Sequence, residues 1–203
     1  MALVKWLGAS STSWSTGANW STGSQPGASD TAVFSDGSDV VTGTPGTTAI
    51  AGLRVTQGFT GTIGTAASPM NIAATDVVIN CPNGAVFING AATTMNVIAA
   101  GGASPGLVLT NSAVSDFRVN GLVGTVEFVG TGGPNILTMT DSPFATVIVP
   151  STASTHRSIR MNSGTLQTQI GTTHGVTVDG GILTINGTEA VNTITQSAGR
   201  VNY

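Results

Sequence analysis

Apolar residues in this chain come in short runs, and the runs recur. From about residue 50 onward, apolar centres fall at 53–55, 59–63, 70–72, 77–79, 86–88, 95–98, 107–109, 117–119 and 126–129. They continue at 136–139, 147–149, 159–161, 166–170, 176–178, 182–185, 191–194 and 201–203. Within many runs the apolar positions alternate, as in Val126/Phe128, Leu107/Leu109, Val147/Val149 and Leu183/Ile185. Alternation at i, i+2 puts side chains on one face of a strand, whereas a helix needs recurrence at i, i+3 and i+4. Only 91–100 reads as a mild helical candidate, and its Thr-Thr pair and the following glycines limit it. Successive centres stand about seven to twelve residues apart, a spacing that belongs to a sandwich, a barrel or a stacked solenoid.

The turns select among these. Several runs end in Asn, at Asn80, Asn89, Asn120, Asn162 and Asn186, and three of these continue as Asn89-Gly90, Asn120-Gly121 and Asn186-Gly187. Asn and Gly both accept left-handed backbone, so each pair turns the chain sharply. In a hairpin protein such pairs join longer strands. Here the flanks are short, which favours an all-β fold of the single-stranded parallel β-helix (β-solenoid) type. The alternative is a β-sandwich or jelly roll. Three strands per coil predict coils of about 28 residues and five or six coils over 51–203. Val78, Phe87, Val97, Leu109, Val119 and Phe128 are the expected inward residues.

Residues 1–50 differ. They hold Trp6, Trp14 and Trp20 and irregular turn signals at Gly23, Pro26-Gly27, Gly37 and Pro45-Gly46. This divides the chain into an N-terminal cap or assembly segment, 1–50, and a parallel β-helix, 51–203. An open solenoid end is a row of unpaired backbone groups, and a cap or a partner covers it.

Composition narrows the function. Charged residues are 7% of the 203, against about 25% in ordinary domains. The 40% hydrophobic content in regular runs argues for a packed fold over disorder. The net charge is -3 and the six cations are mostly scattered, so no basic surface for nucleic acid is expected. One cysteine, Cys81, allows no internal disulfide. The N-terminus shows no leader-like apolar run, and no stretch is long and apolar enough for a membrane span. The expectation is synthesis in the host cytoplasm without a signal peptide, and no membrane partner.

The N-terminus reads Trp6-Leu7-Gly8, Trp14, Gly17-Ala18-Asn19-Trp20-Ser21, a Gly23-Ser24-Gln25-Pro26-Gly27 turn, then Asp30-Thr31-Ala32-Val33-Phe34. This 30-residue pattern resembles the opening segment of β-solenoid surface and virion proteins, both autotransporter-type passengers and bacteriophage structural proteins. The absence of a leader and of a C-terminal barrel turns the resemblance toward the bacteriophage β-solenoid proteins of the capsid decoration (cement) or fibre type. The resemblance implies a structural virion protein at the capsid surface, a homotrimer, with the major capsid protein or another virion protein as partner. Trp6, Trp14, Trp20 and Phe34 are then the candidates for cap packing or for interface anchors. The alternatives are a sugar-binding adhesin or fibre module, with Trp14 and Trp20 as a platform, and a β-helix polysaccharide lyase or hydrolase.

Candidate chemistry is sparse. Glycoside hydrolysis needs two carboxylates across a groove, and the acids form no i, i+2 pair. Asp116 and Asp141, one coil apart in sequence, are the nearest candidates. Asp36 and Asp39 read as turn residues. His156 and His174 lie in no metal-binding motif, and Cys81 before Pro82 reads as a small buried hydrophobe. No catalytic residue, metal site or cofactor is expected.

Overall fold

The computed structural model describes residues 1–43, 48–100, 106–130, 133–149, 158–168, 175–185 and 193–202. The fold is a parallel β-solenoid. Its strands form one continuous ladder in which each coil pairs in register with the next. The one described helical turn is the 3-10 segment Gly17–Asn19.

A first face is built from β1 (Leu3–Lys5), β2 (Thr31–Phe34) and the second half of β4 (Thr48–Val55). It continues through the ends of β6 (Met70–Cys81), β7 (Ala85–Ala100) and β8 (Leu107–Asn120), then through β10 (Gly133–Thr140), β12 (Ser158–Met161), β14 (Val176–Val178) and β16 (Ile194–Gln196). A second face holds β3 (Val40–Val41), β5 (Thr62–Ile63), the starts of β7 and β8, and β9 (Val123–Val129). β11 (Phe144–Val149), β13 (Thr165–Thr168), β15 (Ile182–Ile185) and β17 (Arg200–Asn202) complete it. A third face is made by the first halves of β4 and β6, the middles of β7 and β8, and the start of β10.

Three strands are far longer than the short runs suggested: β6 has 12 residues, β7 16 and β8 14. They stay hydrogen-bonded while rounding a corner. In β6 the buried positions run Met70, Ile72, Ala74 and then Val77, Ile79, Cys81. Two consecutive outward residues, Thr75 and Asp76, shift the phase and turn the strand to the next face. Thr93-Thr94 in β7 and Ser115-Asp116 in β8 do the same one and two coils on. The segment 91–100 is therefore strand, with a corner where a helix was conceivable.

One outward column on the first face counts the coils. Register carries Lys5 to Val33, Arg54, Val78, Asn96, Arg118, Thr138, Arg160, Thr177 and Thr195. Seven turns lie between Arg54 and Thr195, spaced 17–24 residues apart. The 28-residue coil is realised only from Lys5 to Val33. The ladder also runs through residue 50, which falls inside β4, so residues 3–34 already form the first rungs.

The core is the stack of inward columns. One runs Leu53, Val77, Met95, Phe117, Leu137, Ile159, Val176, and another Ile63, Val86, Leu107, Val126, Val147, Leu166, Leu183, all buried. Val97, Leu109, Val119 and Phe128 point inward as expected. Val78 and Phe87 do not: they are half-exposed, and Val77, Ile79, Val86 and Ile88 take the interior instead. Runs of three apolar residues leave the parity open, and pairing with the neighbouring coils sets it.

Turns stack as well as strands. Gly164, Gly181 and Gly199 take left-handed φ, between +79° and +81°, at one position of three successive coils, and at the same corner of the two coils before them Gly121, at +73°, and Asp141, at +48°, make the turn. Asn120-Gly121 is thus a turn as read from the sequence. Gly90, in contrast, lies within β7, where a Cβ would stand 1.8 Å from the carbonyl oxygen of Ile72. Here glycine is needed for close approach between coils. Asn186-Gly187 lies outside the described residues. Cys81 is buried, and desolvation pushes its thiol up to about 12.

Candidate functional site

The three tryptophans and Phe34 lie in the interior. Trp6, Trp14, Trp20 and Phe34 are at most 2% exposed. Trp20 stacks edge-on to Trp6 at 5.0 Å and to Trp14 at 4.7 Å, and Phe34 continues the cluster to Phe59 at 5.3 Å. Most polar groups of this end are tied down too, Trp14 Nε1 being buried without a partner. Trp20 Nε1 donates to the carbonyl of Trp14 at 2.6 Å, and Trp6 Nε1 to Asp39 at 3.0 Å. Buried Asn19 accepts from the Ser10 and Ser11 amides and donates to Ser11 Oγ and the Ser13 carbonyl. The four aromatics close the lumen of the first coils. None is exposed to anchor a partner, and neither Trp14 nor Trp20 offers a ring face to a sugar. Trp content alone does not distinguish a plug from an anchor; the long-range pairing of β1 with β2 does.

The suggested carboxylate pair is not brought together. Asp116 pairs in register with Ile136, where β10 enters the first face, while Asp141 lies beyond the end of β10. Five residues of extended chain separate those levels, about 16 Å. Asp116 accepts from Arg118 Nε at 3.0 Å. Asp36 accepts from Lys5 Nζ at 2.7 Å. Asp76 accepts from Thr94 Oγ1 at 2.8 Å and from Arg54. Partial burial pushes the Asp76 carboxyl up, but the hydrogen bonds from Thr94 and Arg54 and the charge of Arg54 outweigh it, leaving it below its ordinary value. His156 and His174 lie outside the described residues, among which no group of three His, Cys, Asp or Glu could hold a metal ion. No helix among them is long and apolar enough to cross a membrane.

What the structure does organise is charge. Lys5, Arg54, Arg118 and Arg160 all stand in the one outward column of the first face. Asp76 and Asp116 flank that column two residues upstream, and Asp36, Asp141 and Asp179 lie in the turns or loop after it. The second face carries only Glu127 and Arg200 among the described residues, and the third face carries no charge.

The uncharged faces have their own order. On the third face Ala49, Ala73, Ala91, Ala113 and Gly133 stack in one column. Together with Thr75, Thr93 and Ser115 the alanines line a shallow open groove of about 460 Å³. On the second face Thr125, Thr146 and Thr165 stack in register. At its edge Phe144 is 75% exposed, and Val129 and Ile182 are exposed beside the same strands. Sequence reading missed Phe144, although Ala145, Val147 and Val149 alternate inward and put it on the outside by parity. No family model, curated protein or solved structure matches the chain.

Proposed function

We propose that this chain is a non-catalytic structural protein that assembles side by side through its uncharged faces, in the manner of a virion decoration protein. The observation that carries the reading is the scarcity of charge on two of the three faces: among the described residues the third face has none and the second only Glu127 and Arg200. A chain with so few charges exposes, on those two faces, sheet surface with almost none, and surfaces of that kind mark contact sites. Exposed Phe144 supplies the aromatic side chain that interfaces favour. The second face spans nine rungs, from Val40 to Arg200. At about 4.8 Å per rung and roughly 15 Å of width it offers on the order of 500 Å². A stable interface buries about 800 Å² per partner. A closed ring uses two different faces per copy, so the second and third faces together bury on the order of 800 Å² per copy, divided between two contacts that close the ring jointly. A homotrimer with parallel axes, seated on the major capsid protein with the charged face outward, is the assembly proposed. It would add stability to a shell by mass action.

Sedimentation equilibrium tests the first half. The wild-type chain is expected as a trimer at micromolar concentration, and Phe144→Asp or Ala113→Glu as a folded monomer. A wild-type monomer, alone and with purified particles, removes the proposal. Copy number in purified particles tests the second half: hundreds of copies at symmetry-related positions are expected, and a few copies on a tail would point to a fibre module.

A further inference from the structure

The charged face carries two surface pockets of similar build, and neither takes part in the proposed assembly. The first is lined by Asp76, Val78, Thr94, Met95, Asn96 and Arg118 and has a volume of about 280 Å³. The second is lined by Thr138, Met139, Thr140, Arg160, Asn162 and Asp179 and has a volume of about 270 Å³. Each draws an Arg, an Asp, an Asn and at least one Thr from three successive rungs. The second begins on the rung after the first ends, since Arg118 pairs with Thr138. Asn96 and Arg160, central to each, are three rungs apart, about 14 Å.

We infer that this face binds a neutral polysaccharide laid along the solenoid axis, with one subsite in each pocket. The side chains select the chemistry. An anionic polymer is disfavoured because Asp76, Asp116 and Asp179 are interleaved with the arginines, leaving no net positive stripe. An apolar ligand finds few partners, because Met95 and Met139 are buried beneath the surface and, Val78 apart, the accessible linings are Arg, Asp, Asn and Thr. A ligand rich in neighbouring hydroxyls fits, because each hydroxyl both donates and accepts while carboxylate, amide and guanidinium supply paired acceptors and donors at fixed spacing.

Two further observations point to unmet hydrogen-bonding capacity in these pockets. Lys5, Arg54 and Arg118 each hold a carboxylate, whereas Arg160, in the same column and exposed, makes no ion pair among the described residues. In the other pocket Asn96 Oδ1 is buried without a donor. A half-turn of the amide exchanges Oδ1 with Nδ2, so Asn96 can offer either an acceptor or donors. Arg118 is already oriented, with Nε and one terminal nitrogen engaged by Asp116. Repetition of a subsite on a rigid ladder suits a polymer, because the second subsite then binds at high effective concentration.

The test is isothermal titration calorimetry of the full chain with linear neutral oligosaccharides of glucose, mannose and galactose, two and six sugars long, and with heparin as the acidic control. At least one six-sugar ligand is expected to bind about tenfold or more tighter than its two-sugar counterpart, with little salt dependence. Arg160→Ala should weaken the six-sugar ligand about tenfold or more. Arg160→Lys, which keeps the charge and loses the fork, should also weaken it, with unchanged thermal melts for both variants. Binding of none of the neutral ligands overturns the inference. So does salt-dependent preference for heparin, or unchanged binding in the Arg160 variants and Arg118→Ala together. Each pocket lies within one chain on the face away from the proposed contacts, so binding is expected of the Ala113→Glu monomer as well. Loss of assembly and loss of binding are thereby read separately.

Discussion

The first coils close their lumen with aromatic rings, and the last coils fill theirs with aliphatic side chains. At the N-terminal end Trp6, Trp14, Trp20, Phe34 and Phe59 form one cluster, and Asn19 and Asp39 tie its polar edges. At the other end Val176, Val178, Leu183 and Ile185 are buried, but Ile194 and Val201 of the last rung are only partly so. The backbone is the same parallel ladder at both ends. A ladder repeats whatever packs on it, but its first rung has no neighbour to bury its inner face. Large rings supply that cover, and the first turn, at 28 residues the longest among the described coils, holds the extra chain that carries Trp6, Trp14 and Trp20.

The largest effect expected from this contrast is at Trp20. Trp20→Ala should cost about 3–5 kcal/mol, read from urea unfolding followed by far-ultraviolet circular dichroism. Leu183→Ala, near the partly covered last rung, should cost about 2–3 kcal/mol, the low end for such truncations. Equal losses at both sites would break the contrast.

Glycines sharpen it next. Gly90→Ala drives a methyl group into the backbone of the preceding coil and should cost about 1–3 kcal/mol. Gly175→Ala, with nothing within 4 Å of the new Cβ, should be close to neutral. The thermal midpoints of the two variants separate a packed coil interface from an open turn.

Acid should loosen the two ends unequally. The Ala2 and Gly27 amides hold the Asp30 carboxyl below its ordinary 3.8, and Asp76 is also held low. A carboxyl with a lowered folded-state pKa contributes stability above its unfolded pKa and loses it as pH falls through the folded value. Hydrogen exchange from neutral pH to below 3.8 should therefore show protection falling first around 2–31 and 76–94. Earlier loss in 176–185 would reverse the contrast.

The smallest effect expected is at the Arg54–Asp76 pair. Both side chains are more than a third exposed, so Arg54→Met should change stability by no more than about 1 kcal/mol. A larger loss, measured by the same unfolding curves, would show that the charged face contributes to holding the coils together.

Much of the fold was legible in the chain. Apolar alternation at short regular spacing, Asn and Gly at the corners, and the lack of helical periodicity lead to a parallel solenoid, because a coil that buries one side of each strand must repeat that pattern at every rung. Strand length was not legible. Thr75-Asp76 and Thr93-Thr94 read as ends of runs, yet the ladder continues through them because the coils on either side bend at the same place. The inward parity of Val77 over Val78 was not legible either, since both are apolar and only the neighbouring register decides.

The candidate sites were less legible still. The sequence by itself determined that charge would be rare, that Trp would gather at the N-terminus and that no catalytic motif would stand out. Only the tertiary structure decided that the tryptophans are spent inside and that Phe144 is exposed. It also decided that Lys5, Arg54, Arg118 and Arg160, scattered over 156 positions, share one column. The physical reason is that a solenoid converts separation along the chain into a rise of a few ångströms per coil. Coils of unequal length, 17–28 residues, bring equivalent positions together at intervals that no fixed period in the sequence displays.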